Sequence, residues 1–292
     1  MPITFSRWQL VLLAMNVAYL SAGSAFAEND SKSESKLAKS LTLHASFDKG
    51  LDADFSRGDK TCYDLQGKDV TKATLTPEVQ LDPAGGRFGG ALHFTKKNKY
   101  RPAFKNAGVL DYNAKDWNAS VSVWLRLDPD KDLEPGYCDP MQIVGSDGNK
   151  GFIFLEWSKD VPRMFRYAIR PLTHIWNPNK LPWDGIPADK RPMVQIKQAP
   201  FSHDDWTHIV FTLDHINNKQ QSPSGTLYMN GERKGSIDNW DLTFDWHPSS
   251  VMLVLGAAYV GRMDDLAVFD RPLSADDVKQ LYGLKQGARE LY

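Results

Sequence analysis

Over much of its length the chain alternates apolar and polar residues with a period of two. Val121, Val123, Leu125 and Leu127 alternate with Ser120, Ser122, Trp124 and Arg126, which predicts a strand with one face in a core. Ile209, Phe211 and Leu213 alternate in the same way with His208, Val210 and Thr212. Val251 to Leu255 is continuously apolar and predicts a buried strand. Asn230-Gly231 separates Thr226–Met229 from Glu232–Lys234, and two residues that tolerate positive φ between strand-like runs predict a type I′ hairpin. From Gly261 the pattern places Met263, Asp265, Ala267 and Phe269 on one face and Asp264, Leu266 and Val268 on the other. The adjacent carboxylates Asp264 and Asp265 are therefore expected to point opposite ways. Arg271-Pro272 ends that strand, because proline has no N–H for a ladder. A helix should follow, with Ser274 as N-cap, Asp277 completing a capping box, Leu273 stapled onto Val278 and Gly283 at the stop. Many short strands with a single C-terminal helix predict an all-β fold, a two-sheet antiparallel β-sandwich of jelly-roll type.

The closing run, GRMDDLAVFDRPLSADDVKQL over residues 261–281, resembles the end of LamG-like jelly-roll modules of the concanavalin A-like lectin/glucanase superfamily, the laminin-G and pentraxin relatives. Other segments follow the same family order: LHASFD at 43–48, GGRFGGALHF at 85–94, SVSVWLRL at 120–127, DDWTHIVFTLD at 204–214 and GTLYMNGERKGSI at 225–237. The resemblance implies one domain over residues 41–284, followed by a tail at 285–292. Residues 161–200 are longer and richer in Pro, Trp and Arg than the family's hairpins, so they are expected to form an insertion over one face. The resemblance also implies a structural Ca²⁺ ion, with Asp264 and Asp48 as the metal ligands carried over.

The N-terminus reads as a secretory signal peptide over residues 1–27. Arg7 precedes an apolar run, and Ala25-Phe26-Ala27 supplies a small-x-small cleavage pattern. The protein is accordingly expected to be secreted or periplasmic. Residues 28–40 are polar and Ser/Lys-rich, the composition of a disordered linker. Export also predicts that Cys62 and Cys138 form a disulfide. With 35 basic against 36 acidic residues, the chain has no electrostatic footprint for nucleic acid, and no basic amphipathic run marks a membrane surface.

Catalytic signatures are absent from the sequence. The glucanases of the superfamily carry Glu-x-Asp and a further Glu on one strand, whereas the nearest arrangement here is Glu156 with Asp160. No GxSxG or HExxH occurs. Tyr167, His174, Arg166 and Arg170 suit a lyase by residue type, but only proximity in sequence groups them. The acidic run Asp128–Asp139 opens like an EF-hand loop and then fails, with Leu133 at the required glycine and Asp139 at the bidentate glutamate. Binding chemistry is better represented. A strand over 164–170 would put Arg166 and Arg170 on one face, with Trp176 and Trp183 following. Aromatic faces and forked guanidinium donors suit sugar rings. The expected function is a non-catalytic binding module for an extracellular polysaccharide or glycoconjugate, contacted through Arg166, Arg170, Trp176 and Trp183. A protein-binding adhesion or envelope module is the alternative, and a polysaccharide lyase or glycosidase the third reading.

Overall fold

The structure is a computed structural model that describes residues 36–65 and 70–292. The expected signal peptide and residues 28–35 of the expected linker lie outside the described residues. Residues 36–40 are helical, so the linker reading is corrected there. Ser40–Glu290 and Tyr292 form one compact unit, and its two antiparallel sheets bear out the sandwich.

The nine-stranded sheet runs, edge to edge, Glu232–Ile237, Ser224–Met229, Thr207–Ile216, Trp117–Arg126, Gly261–Phe269, Leu41–Ala45 and Phe55–Ser56. Ala91–Phe94 also pairs with the start of Gly261–Phe269 and carries Val79–Asp82 beside it. The eight-stranded sheet runs Met193–Ile196, Phe165–Arg170, Phe152–Trp157, Cys138–Val144, Met252–Ala257, Pro102–Lys105, Tyr63–Asp64 and Thr71–Lys72. Between the sheets the alternating residues converge as the sequence predicts. Val121, Val123, Leu125, Ile209, Phe211 and Leu213 from one sheet share a core with Ile143, Ile153, Leu155, Tyr167 and Leu253 from the other.

Local signals translate directly into structure. Asn230 and Gly231 both take positive φ, 50° and 80°, as a type I′ turn requires. Ser274 caps the helix Ala275–Gly283, and Asp277 returns the hydrogen bond to the Ser274 N–H at 2.8 Å. Arg271 then grips the Asp277 carboxylate with both Nη atoms, at 2.7 and 2.9 Å.

Two expectations are overturned by the way the strands assemble. Asp265 sits at φ 52°, where the strand slips register against Trp117–Arg126 between Asp264 and Ala267. This bulge puts Met263, Leu266 and Val268 in the core. Asp264 and Asp265 are both left off the core face, so they do not point opposite ways. The disulfide is also corrected, since Cys62 and Cys138 are free and buried. Tyr63 pairs with Ala103, Ala103 with Val254, and Val254 with Gln142. Two strands therefore separate the two cysteine-bearing segments. Three inter-strand steps span about 14 Å, twice the reach of a disulfide between Cα atoms. Burial pushes the Cys62 thiol up to about 12, which keeps it an inert core residue.

Candidate functional site

The segment between the strands Phe165–Arg170 and Met193–Ile196 is the irregular part of the expected insertion, with one short helix, Thr173–Trp176, and two 3₁₀ turns. Because side chains alternate along a strand, Tyr167 and Ile169 face the core and Arg166 and Arg170 face outward. The outward positions of the eight-stranded sheet carry an unusual polar set. Glu156, Arg166 and Gln195 lie in one cross-strand row. Arg166 donates to Glu156 Oε1 and to Gln195 Oε1, each at 3.0 Å. Next to Glu156, across a register slip between Leu155 and Trp157, lies Asp139. It accepts a 2.6 Å hydrogen bond from Gln142 Nε2.

These carboxyl groups are not ordinary surface acids. Burial, and then the neighbouring Glu156, push Asp139 up to about 8. Burial pushes Glu156 up to about 6 against the opposing pull of Arg166 and Arg170. Burial thus disfavours the Asp139 charge, and the Glu156 carboxylate is matched by Arg166.

Arg170 is held differently. Its guanidinium carbon lies 4.4 Å from the Trp176 ring centroid and 5.4 Å from those of Trp183 and Phe152. Trp176 and Trp183 meet edge to face at 5.6 Å. Arg191 lies over Trp183, 4.5 Å from its centroid, and donates to the Ile186 carbonyl. Among the described residues Arg170 has no hydrogen-bond or ion-pair partner, and its Nε is buried without one, as are the indole N–H groups of Trp176 and Trp183.

Trp176, Trp183 and Arg170 line one cleft of about 650 Å³, together with His174 and Lys180. Arg170 and Asn149 connect it to a second cleft of about 1020 Å³, which reaches across the sheet to Arg101 and Gln142. Arg166 does not join them, and lines a separate cleft of about 370 Å³ beside Asp184 and Tyr137. Three of the four residues expected to contact a ligand are thus brought together. Sequence reasoning missed Arg101 and Gln142, which come from other parts of the sheet and reach the groove only through strand order, and it missed Asp139, which lies beside Glu156 and shares a neighbouring cleft with Arg101 and Gln142. The lone signal was for Asp139, a polar residue between the buried Cys138 and an apolar strand.

A family profile described as the concanavalin A-like lectin/glucanases superfamily matches residues 108–279. The chain belongs to that superfamily. No curated protein matches the sequence. Among solved structures, the binding domain of botulinum neurotoxin serotype D is 15% identical with a TM-score of 0.52, covering 84% of this chain and 52% of that one. The binding domain of botulinum neurotoxin DC in complex with SialylT is 16% identical with a TM-score of 0.51, covering 88% and 52%. The chain spans about half the length of these two domains. Domain 4 of AbnA, an extracellular arabinanase from Geobacillus stearothermophilus in complex with arabinotriose, is 17% identical with a TM-score of 0.49, covering 82% and 97%. At such identities the likeness is one of fold.

The calcium site that the superfamily implies does not fit the residues present. Asp264 Oδ2 already accepts the N–H groups of Arg87 and Phe88, at 2.6 and 2.9 Å, and burial pushes this carboxyl up to about 7. Asp48 Oδ1 accepts from the Gly90 N–H at 2.7 Å, while Asp48 Oδ2 takes Arg289 Nη2 at 2.6 Å. The same Nη2 also donates to the Phe88 carbonyl at 3.0 Å. A guanidinium thus joins oxygens that a hard cation would need free. Among the described residues no group of three or more His, Cys, Asp or Glu is placed to hold a metal. The expected tail contributes to this arrangement. Ala288 N donates to Asp265, His44 bridges Asp265 Oδ1 and the Tyr292 hydroxyl at 2.8 and 2.9 Å, and Tyr292 stacks on Phe55.

Proposed function

We propose that this protein is an exported, non-catalytic glycan-binding module, and that its ligand lies in the connected clefts on the outer face of the eight-stranded sheet. The observation that carries this reading is the convergence of Arg170, Trp176 and Trp183, with His174 and Lys180, on one cleft. A groove that joins two clefts through a shared arginine suits an extended chain of rings better than a single small molecule. The tryptophans do not act as open stacking platforms, because Trp176 is buried and both rings carry the Arg170 guanidinium. They hold the arginine in place, and its unused N–H donors face the cleft. The signal-peptide pattern at residues 1–27 supports the exported part of this reading.

The reading is tested by binding of fluorescently labelled protein to a printed glycan array, with Trp183→Ala as control. Retained signal on a defined glycan group, reduced about tenfold in the variant, supports it. A blank array, or binding that Trp183→Ala leaves intact, refutes this placement of the site. Release of reducing ends or unsaturated sugars from a bound glycan would replace the non-catalytic reading with an enzymatic one.

A further inference from the structure

We infer that the Arg170 cleft selects glycans that carry an anionic group, a uronate or sialate carboxylate or a sulfate ester, and that Arg170 is the residue that receives it. This rests on the glycan-binding reading above and narrows its ligand class.

The argument begins with what surrounds the guanidinium. A guanidinium is charged at any physiological pH and carries its donors in a planar fork suited to carboxylate or sulfate oxygens. Elsewhere among the described residues, arginines that are buried or half-buried are put to use by the protein. Arg163 Nη atoms donate to the carbonyls of Gly136, Ser158, Leu133 and Glu134, Arg166 holds Glu156, and Arg271 grips Asp277. Arg170 instead is clamped by ring faces. Cation–π contacts position a guanidinium without consuming its N–H groups, so the fork remains free to receive a ligand.

The surrounding charge favours an anion. The described residues lining the two clefts that meet at Arg170 include no Asp or Glu, whereas Arg101, Lys180 and His174 are among them. The acidic groups nearest to Arg170 are Glu156 and Asp139. Glu156 is ion-paired to Arg166 at 3.0 Å, and burial pushes the Asp139 carboxyl far above the ordinary carboxylate range, which disfavours its charge. Among the described residues the lining of this partly desolvated groove is left net positive, so a neutral sugar would leave the guanidinium unmatched and a carboxylate or sulfate would complete it.

The test uses the full mature chain. On an array of matched neutral, uronate, sialylated and sulfated glycans, acidic members should bind about tenfold or more tightly than their neutral parents, and Arg170→Gln should erase that ratio. Preference for uronates over sulfates, or the reverse, identifies which anion the fork receives. In ¹⁵N–¹H spectra of wild-type protein, inorganic sulfate or free glucuronate should move the indole N–H signals assigned to Trp176 and Trp183. This measurement needs no variant and so survives a misfolded Arg170→Gln. Binding of neutral glycans without an acidic preference leaves the module reading intact and overturns the inference. Anion-dependent indole shifts with a blank array preserve the anion receptor and remove the glycan. An Arg170→Gln protein that loses thermal stability but keeps the acid-to-neutral ratio makes Arg170 a packing residue only, which also overturns it.

Discussion

Around the closing strand Gly261–Phe269, charge is consumed by the fold. Asp265 accepts from His44 and from the Ala288 N–H, Asp264 from two backbone N–H groups, and Arg289 spans Asp48 and the Phe88 carbonyl. On the outer face of the opposite sheet the account stays open. Glu156 and Arg166 cancel, burial disfavours the Asp139 charge, and Arg170 is fixed by aromatic rings with its donors unspent. Both regions contain buried carboxyls and arginines, so residue type alone does not separate them. What separates them is whether each charge finds its partner inside the chain. The first region therefore behaves as architecture, and the second is where an external ligand has something to gain.

Removing a partner from the closed region should have the largest effect. Asp265→Ala leaves the fully buried His44 without its carboxylate and the Ala288 N–H without an acceptor, so the protein should lose about 3–5 kcal/mol. Urea denaturation monitored by tryptophan fluorescence measures this, and a loss below about 1 kcal/mol would mean that the C-terminal turn is not a structural clamp. The open region should respond to pH instead. A carboxyl raised from 3.8 to about 8 keeps in the folded state a proton that the unfolded chain releases above pH 3.8. Stability therefore falls as pH rises through that window and levels off above it. Glu156 adds a smaller fall between 4.5 and about 6. Asp139→Asn should flatten most of the decline between pH 5 and 8, worth about 4 kcal/mol at the upper end. An unchanged slope of midpoint against pH in the variant would show that Asp139 is not the buried acid responsible.

The contrast between the regions was only half visible in the sequence, for reasons that differ residue by residue. The Asn230-Gly231 turn and the Ser274–Asp277 box are decided within four residues, so local chemistry predicts them. The i, i+4 spacing of Arg166 and Arg170 put both on one strand face, as the structure has them. It could not say that Arg166 would meet Glu156 while Arg170 met Trp176, because that depends on the strand Phe152–Trp157 and on the fold-back after Pro171. The bulge at Asp265 escaped for a different reason. An unbroken alternation fits the sequence equally well, and only the demand that Met263, Leu266 and Val268 all reach the core selects the slipped register. The Cys62–Cys138 bridge failed on strand order, a wholly non-local property. It is in these tertiary decisions, rather than in local pattern, that some charges find partners within the fold while Arg170 is left without one among the described residues.

A smaller effect is expected at the helix cap. Asp277→Ala removes the capping box and the Arg271 fork and should cost about 1–2 kcal/mol. Burial works to raise this carboxyl, but Arg271 and Ser274 outweigh it and hold it well below its ordinary value of 3.8. Its contribution is therefore complete above that value and is lost as pH falls toward the folded value. A difference between wild type and variant that stays constant from pH 7 to pH 2 would contradict this.

The smallest expected effect is a null one, and it discriminates most sharply at the closed region. Arg289 already brings a positive charge to Asp48 and the Phe88 carbonyl, so neither millimolar calcium nor a chelator should move the wild-type thermal midpoint by more than about 1 °C. Truncating the guanidinium in Arg289→Ala leaves the Asp48 carboxylate without its cation. The midpoint should then fall by several degrees, as expected for about 1 kcal/mol in a domain of this size, and calcium should recover part of the loss. A wild-type midpoint that drops on chelation would show that the Asp48–Asp264 region binds a metal despite Arg289. The closed region would then depend on an external partner too, and the distinction from the Arg170 groove would no longer hold.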